Sequence, residues 1–226
     1  TYSLLAHSAE EEVARNFLCF SRPEAVCIVC DATCLERNLN LVLQTLEITP
    51  RAAICLNLMD EAKKRKLRIE PARLEALVEE LAPDAVLSVG QAAGRAALTP
   101  ELVGINWKDA SLPDNAGVLC QGEPIDPAGA DAHFSSLPVK EMVSAIRGAG
   151  VPAQLSLSAG AYICNATLYR LAGLAKERGI PGGFLHVPCC CEQTLEKPGC
   201  PSLPLPAITA GLEAAVGAIA ESLTKG

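Results

Sequence analysis

Aromatic side chains are scarce here: four Phe, three Tyr and one Trp in 226 residues. Any core must therefore be built mostly from Leu, Val, Ile and Ala. Basic residues are also few beyond one short segment, KKRKLR. The net charge is -7, with acidic and basic residues mixed along both halves. A nucleic-acid-binding protein would present a basic face, so that class is disfavoured. Long hydrophobic runs are missing too. The best short run, Ala25 to Cys30, falls far below the ~20 residues of a spanning helix, so no membrane partner is expected. No secretory signal pattern is visible. The chain begins at Thr1 rather than Met, as expected of a fragment or a processed form.

What is present is ordinary for a globular protein. Half the residues are hydrophobic and a fifth are charged. The length suits one large α/β domain or two small ones. The exception is cysteine: there are 11, an odd number. Cys27, Cys30 and Cys55 lie inside apolar runs that read as buried strands, where cysteine packs as a small hydrophobe. Without an export signal, reduced thiols in a cytoplasm are expected, not a disulfide framework.

Strands and helices alternate along the chain. Residues 1–19 read as a helix rich in early acids, Glu10 to Glu12. AVCIVCD at 25–31 is a short apolar run that suits a strand buried on both faces. Residues 35–48 place Leu35, Leu39, Leu43 and Leu46 on one helical stripe. AAICLN at 52–57 reads as a second strand, followed by a solvated basic segment, KKRKLR. A helix is expected at 71–82, with Pro71 in a tolerated first-turn position, and a strand at 84–90. Residues 104–137 have little periodicity and read as a long loop. A helix at 139–147, a strand at 151–157, a helix opening near Cys164, a strand at 182–187 and a last helix after 201–206 complete the pattern. This alternation predicts an α/β fold, a three-layer α/β/α sandwich around a mainly parallel twisted sheet.

Cys164 is the most informative residue for chemistry. It ends the turn SAGAYIC and opens a helix, whose N-terminal amides and partial positive charge favour a thiolate. The same amides can hold an oxyanion during acyl transfer. His186 sits near the C-terminal end of the next strand, where open parallel sheets place their sites. His7 and His133 lie in less telling contexts. A cysteine or a histidine at such a junction is more often structural, so spacing alone gives only an α/β protein with a candidate thiol site.

Longer stretches add to this. PDAVLSVGQAAGR (83–95), LTPELVGIN (98–106), LPDNAG (112–117), FSSLPVKEMVSAIRGAGVPAQLS (134–156), SAGAYICN (158–165) and GGFLHVP (182–188) keep one order and spacing. With Glu192-Gln193, the segment from about 83 to 219 resembles the pyroglutamyl peptidase I (pyrrolidone-carboxylate peptidase) family. The resemblance implies a cysteine peptidase that removes an N-terminal pyroglutamyl group from peptides, needs no cofactor and no metal, and forms a homotetramer. It implies Cys164 as nucleophile, His186 as general base and Glu101 as the acid that orients the histidine. It places Tyr162, Ile163 and Gln91 around the pyroglutamate ring. There are departures. Ala93 stands where the family has Gly, Ser111 where it often has Arg, and Cys189-Cys190-Cys191 where it usually has a Tyr-containing segment. The last three, with Cys200, raise a thiol or metal site as a third reading, although structural zinc normally uses spaced pairs.

The N-terminal part is different. TYSLLAHSAEEEVARNFL, DATCLERNLNLVLQTLE and LNLMDEAKKRK resemble an internal piece of the G domain of the ferrous-iron transporter B family. Asn57 and Asp60 match the guanine-recognition Asn-x-x-Asp of that family, or else form a strand end with a helix cap. No G-x-x-x-x-G-K-[ST] phosphate loop occurs in the chain, so nucleotide affinity should be poor. The peptidase family's opening Gly-Phe-x-Pro-Phe-Gly-Gly loop, whose aromatics close over the ring, is absent too. Two pieces are therefore expected: 1–75, a transporter-like fragment, and 76–226, a peptidase-like domain without its opening strand and loop. Activity is expected to be impaired. The alternative is a catalytically inactive fusion of GTPase and peptidase fragments.

Overall fold

The computed structural model describes residues 82–110 and 119–225 throughout, the backbone of two earlier strands, and scattered helical positions at 16, 18–20, 44, 45, 48 and 78. Those positions fall within the helices expected at 1–19 (and just past its end), 35–48 and 71–82. Ala82, at φ 40°, is not helical; the rest of those helices lies outside the described residues, as do His7, Asp60 and Ser111.

The short apolar runs form parallel strands. β1 (Val26–Asp31) pairs with β2 (Ala52–Asn57), Val26 opposite Ala52 and Asp31 opposite Asn57. β3 (Val86–Gln91) pairs in parallel with β7 (Gly182–Val187), Gly90 opposite His186. β4 (Thr99–Glu101) runs antiparallel on the other side of β7, Thr99 opposite His186. β2 lies beside β3, although the ladders recorded are β1–β2 and β3–β7–β4.

Two expectations change. The strand expected at 151–157 is an extended segment held to the β4 edge by isolated parallel bridges, Leu98–Ala153 and Glu101–Ser156. Leu98 N donates to Pro152 O and Gln154 N to Leu98 O, at 2.9 and 3.1 Å. The next donor of a regular ladder would be residue 100, but Pro100 has no N–H. The supposed loop at 104–137 contains an antiparallel pair, β5 (Val103–Ile105) with β6 (Ala132–Phe134). Three-residue strands are too short to show alternation in sequence.

Successive residues of a strand face opposite sides, and β3 and β7 use this to build three layers. Leu87, Val89, Leu185 and Val187 point to one side. There they form the main core with Met142 and Ile146 of α1 (Val139–Gly148) and Ile208, Ala215 and Ile219 of α3 (Leu205–Lys225). Phe184 points to the other side, against Leu168 and Ala172 of α2 (Ile163–Arg178). α3 is long and apolar enough by composition to cross a membrane. Its buried residues, Ile208, Gly211, Ala215 and Ile219, form the stripe that packs on α1 and the sheet, and 28% of the apolar stretch is buried in the fold. Beyond β7 come a short parallel pair, β8 (Cys189–Cys190) with β9 (Ser202–Leu203), and a 3₁₀ turn over Cys191–Thr194 between them.

Candidate active site

The α2 side of β3 and β7 carries the polar chemistry. His186 is the penultimate residue of β7 and is buried. Its ring Nδ1 is 2.7 Å from Glu101 Oε1 at the end of β4. Glu101 is fully buried. The antiparallel register of β4 on β7, Glu101 opposite Phe184, brings the carboxylate to the histidine.

Cys164 arrives from above the same face. The turn before it contains Gly160 at φ 83°, in the left-handed region that a side chain disfavours. Tyr162 is the N-cap of α2 and makes no side-chain bond to the first turn. Cys164, the second residue of the helix, lies half-buried over β3. A Cβ on Gly90 would sit 3.4 Å from Cys164 Sγ and 2.6 Å from Phe184 Cζ. Gly90 is the register partner of His186, so thiol and imidazole occupy one face of the sheet. A methyl there would collide with the phenyl ring and touch the thiol at ordinary van der Waals distance.

Two residues outside the expected site hold this arrangement. Asn165 is buried. It accepts from Ile105 N and donates to the Ile105 and Trp107 carbonyls, each at 2.9 Å, so it pins the start of α2 to β5. Arg95 Nη1 lies 2.7 Å from Glu101 Oε1 and also bonds the Thr99 hydroxyl, while its Nη2 donates to Ser158 O at 3.1 Å. A sequence signal for Arg95 existed: it is the only Lys or Arg between residues 83 and 107. Asn165 gave none, because a polar residue in a helix's first turn usually faces water.

Burial alone would raise the Glu101 pKa. The hydrogen bond with His186, the nearby Ser156 hydroxyl and the charge of Arg95 outweigh it and hold Glu101 below its ordinary value. The Ser156 hydroxyl also bonds Ser158 O at 3.2 Å. Glu101 Oε2 makes no hydrogen bond among the described residues.

Of the residues expected around a substrate ring, Tyr162 and Ile163 open α2 beside Cys164. Gln91 differs. By alternation it belongs to the α1 side of β3, and its amide is bonded to Gln193, at 2.5 Å. Gln193 Oε1 also accepts from Cys190 N at 2.9 Å, so Gln91 helps fasten the 3₁₀ turn. The triple cysteine is split by its surroundings. Cys189 is buried, and burial together with the neighbouring Cys200 thiol pushes its pKa up. Among the described residues no group of three or more His, Cys, Asp or Glu is placed to share an ion.

Residues 65–222 match the family model described as pyroglutamyl peptidase. The chain belongs to the pyroglutamyl peptidase family. Relatives in this family include the pyrrolidone-carboxylate peptidase of Staphylococcus carnosus, 52% identical over 140 residues, covering 61% of this chain and 66% of that protein. The Levilactobacillus brevis pyrrolidone-carboxylate peptidase is 46% identical over 147 residues, covering 64% and 72%. Among solved structures, pyroglutamyl peptidase I of Bacillus amyloliquefaciens superposes with a TM-score of 0.65 at 35% identity, over 75% of this chain and 79% of that one. A mutant pyrrolidone carboxyl peptidase of Pyrococcus furiosus gives 0.65 at 34% identity, over 68% and 76%. The chain thus spans about two-thirds of the length of the first of these relatives. Residues 1–92 match a second family model, ferrous iron transport protein B, so the two matches overlap at 65–92. The peptidase match begins earlier than the stretch from 83 that the sequence motifs mark, because 65–82 carry no motif residue.

Proposed function

We propose that the chain is a cysteine peptidase that hydrolyses the N-terminal pyroglutamyl group from peptides, with Cys164, His186 and Glu101 as its triad. One observation carries the reading: a buried Glu101–His186 pair at 2.7 Å on the same sheet face as a cysteine that opens a helix. Glu101 fixes the imidazole through Nδ1, leaving Nε2 to take the thiol proton. The thiolate attacks the pyroglutamyl carbonyl, and the amides at the start of α2 receive the oxyanion. The imidazolium protonates the departing amine, and water then releases the acyl group. Tyr162 and Ile163 would flank the lactam, and Gln91 would reach it only by leaving Gln193. An ordinary amino terminus would bring a charged ammonium into an apolar pocket, at a desolvation cost.

The same reading treats 1–75 as a transporter-like segment and 76–226 as the peptidase domain, in a cytoplasmic homotetramer that needs no cofactor. Turnover should be slow, since no Gly-Phe-x-Pro-Phe-Gly-Gly loop supplies the aromatic wall and Ser111 replaces a guanidinium. Fluorophore release from a pyroglutamyl aminocoumarin amide tests this. Release above that of the Cys164→Ser protein, and slower than by a full-length family member alongside, is expected. A chain that releases no more than Cys164→Ser contradicts the reading and leaves the inactive fusion; one that cleaves an alanyl amide equally well contradicts its pyroglutamyl specificity.

A further inference from the structure

A buried carboxylate needs a countercharge at every stage of a reaction, and histidine supplies one only while it is protonated. In this site a second cation is always present. Arg95 shares Glu101 Oε1 with His186, each nitrogen 2.7 Å from the oxygen. The same guanidinium also bonds the Thr99 hydroxyl and, through Nη2, the Ser158 carbonyl at 3.1 Å. Ser158 opens the turn that leads through Gly160 and Tyr162 to Cys164, so one planar, permanently charged group joins the strand of the acid to the approach of the nucleophile.

We propose that Arg95 is a positioning residue for this site: it keeps Glu101 ionised while His186 gains and loses its proton, and it ties Glu101 to the turn that delivers Cys164. The inference rests on the triad reading above, but its test does not depend on turnover. Of the titratable groups on this face, Glu101 of β4 bonds Arg95 directly, His186 of β7 shares the same carboxylate oxygen, and Cys164 of α2 follows the turn that Arg95 holds through Ser158 O. Of the other elements on β4, the 151–157 segment offers only the Ser156 hydroxyl, and Arg147 of α1 is engaged by Ala153 O at 2.8 Å. Removing a positive charge favours the protonated form of every group in that cluster. A lysine keeps the charge but cannot hold three acceptors in a fork.

The experiment compares the parent chain with Arg95→Gln and Arg95→Lys. One arm reads the pH profile of iodoacetamide alkylation at Cys164 by mass spectrometry, and the other kcat and KM for the pyroglutamyl amide. Arg95→Gln should move the Cys164 profile to higher pH and lower kcat by about 10- to 100-fold, with KM little changed. Arg95→Lys should keep the parent profile and recover part of kcat. If the parent releases no fluorophore, the triad reading fails in its activity while the alkylation arm still judges Arg95. The proposal is overturned if Arg95→Gln keeps the parent profile, or if Arg95→Lys is as displaced as Arg95→Gln. Should Arg95→Gln not fold, a Cys164 profile in Arg95→Lys displaced from the parent overturns it, and an unchanged one supports it.

Discussion

The two faces of β3 and β7 are made by the same twelve residues and do different work. Toward α1 and α3, Leu87, Val89, Leu185 and Val187 form an apolar layer whose contribution is burial. Toward α2, Gly90, Phe184 and His186 leave space for a thiol and place an imidazole against a buried carboxylate. Ser88 and His186 are also buried polar residues of these strands. A sheet face that gives up aliphatic packing for partnered polar groups has exchanged stability for chemistry. Substitutions on the two faces should therefore separate into two kinds of loss.

The largest expected effect is on the α2 face. Glu101→Gln keeps the shape but removes the charge that orients His186 and stabilises the imidazolium. Whatever pyroglutamyl turnover the chain has should fall by roughly 10²- to 10⁴-fold, read as kcat at saturating substrate. The same substitution tests a pH dependence. The depressed Glu101 pKa makes its stabilising contribution present above the ordinary carboxylate pKa and lost as pH falls through the lower folded value. Melting temperature followed from neutral to strongly acid pH should therefore decline less in Glu101→Gln than in the parent.

Next comes the opposite face. Leu185 is fully buried in the apolar layer. Leu185→Ala should cost about 2–5 kcal/mol in urea unfolding, while kcat per folded molecule stays near the parent value. A variant that lost turnover without losing stability would break the separation of the faces. Gly90→Ala belongs to both kinds. Its methyl would meet Phe184 Cζ at 2.6 Å and Cys164 Sγ at 3.4 Å. A cost of about 1–3 kcal/mol from overpacking, together with slower Cys164 alkylation, is expected from paired unfolding and labelling measurements.

The smallest effect concerns the N-terminal region. Asn57 ends β2, opposite Asp31, and the chain has no phosphate-loop motif. Titration with GTP and magnesium should give no heat at micromolar nucleotide. Micromolar affinity would mean that this region does chemistry of its own.

Much of this could be read from the sequence because it is local. Short, mostly apolar runs gave β1, β2, β3 and β7 to within two residues. The stripe Val139, Met142, Val143 and Ile146 gave α1 in the same way. What could not be read was set by distant partners. The segment at 151–157 reads as a strand from its own residues, and what interrupts its ladder is Pro100, some fifty positions away. β5 and β6 exist only through each other. At the site, Cys164 and His186 stood out from their places at a helix start and a strand end, while their roles and Glu101 were reached through motif resemblance. Gln91 was reached the same way, and its bond to Gln193 shows how little a strand-end residue reveals about where its amide turns. Arg95 was missed because its three acceptors come from Thr99, Glu101 and Ser158, and only the fold assembles them.

The central claim is that the α2 face makes Cys164 a reactive thiol through His186. Site-resolved iodoacetamide labelling of the intact chain near neutral pH, with His186→Ala beside it, tests that most directly. Exposed Cys19 and half-buried Cys190 and Cys200 serve as internal references. The account predicts that Cys164 is labelled ahead of all three despite its partial burial, and that this lead disappears in His186→Ala. Labelling of Cys164 no faster than Cys19, or a lead that survives the loss of the imidazole, would contradict it.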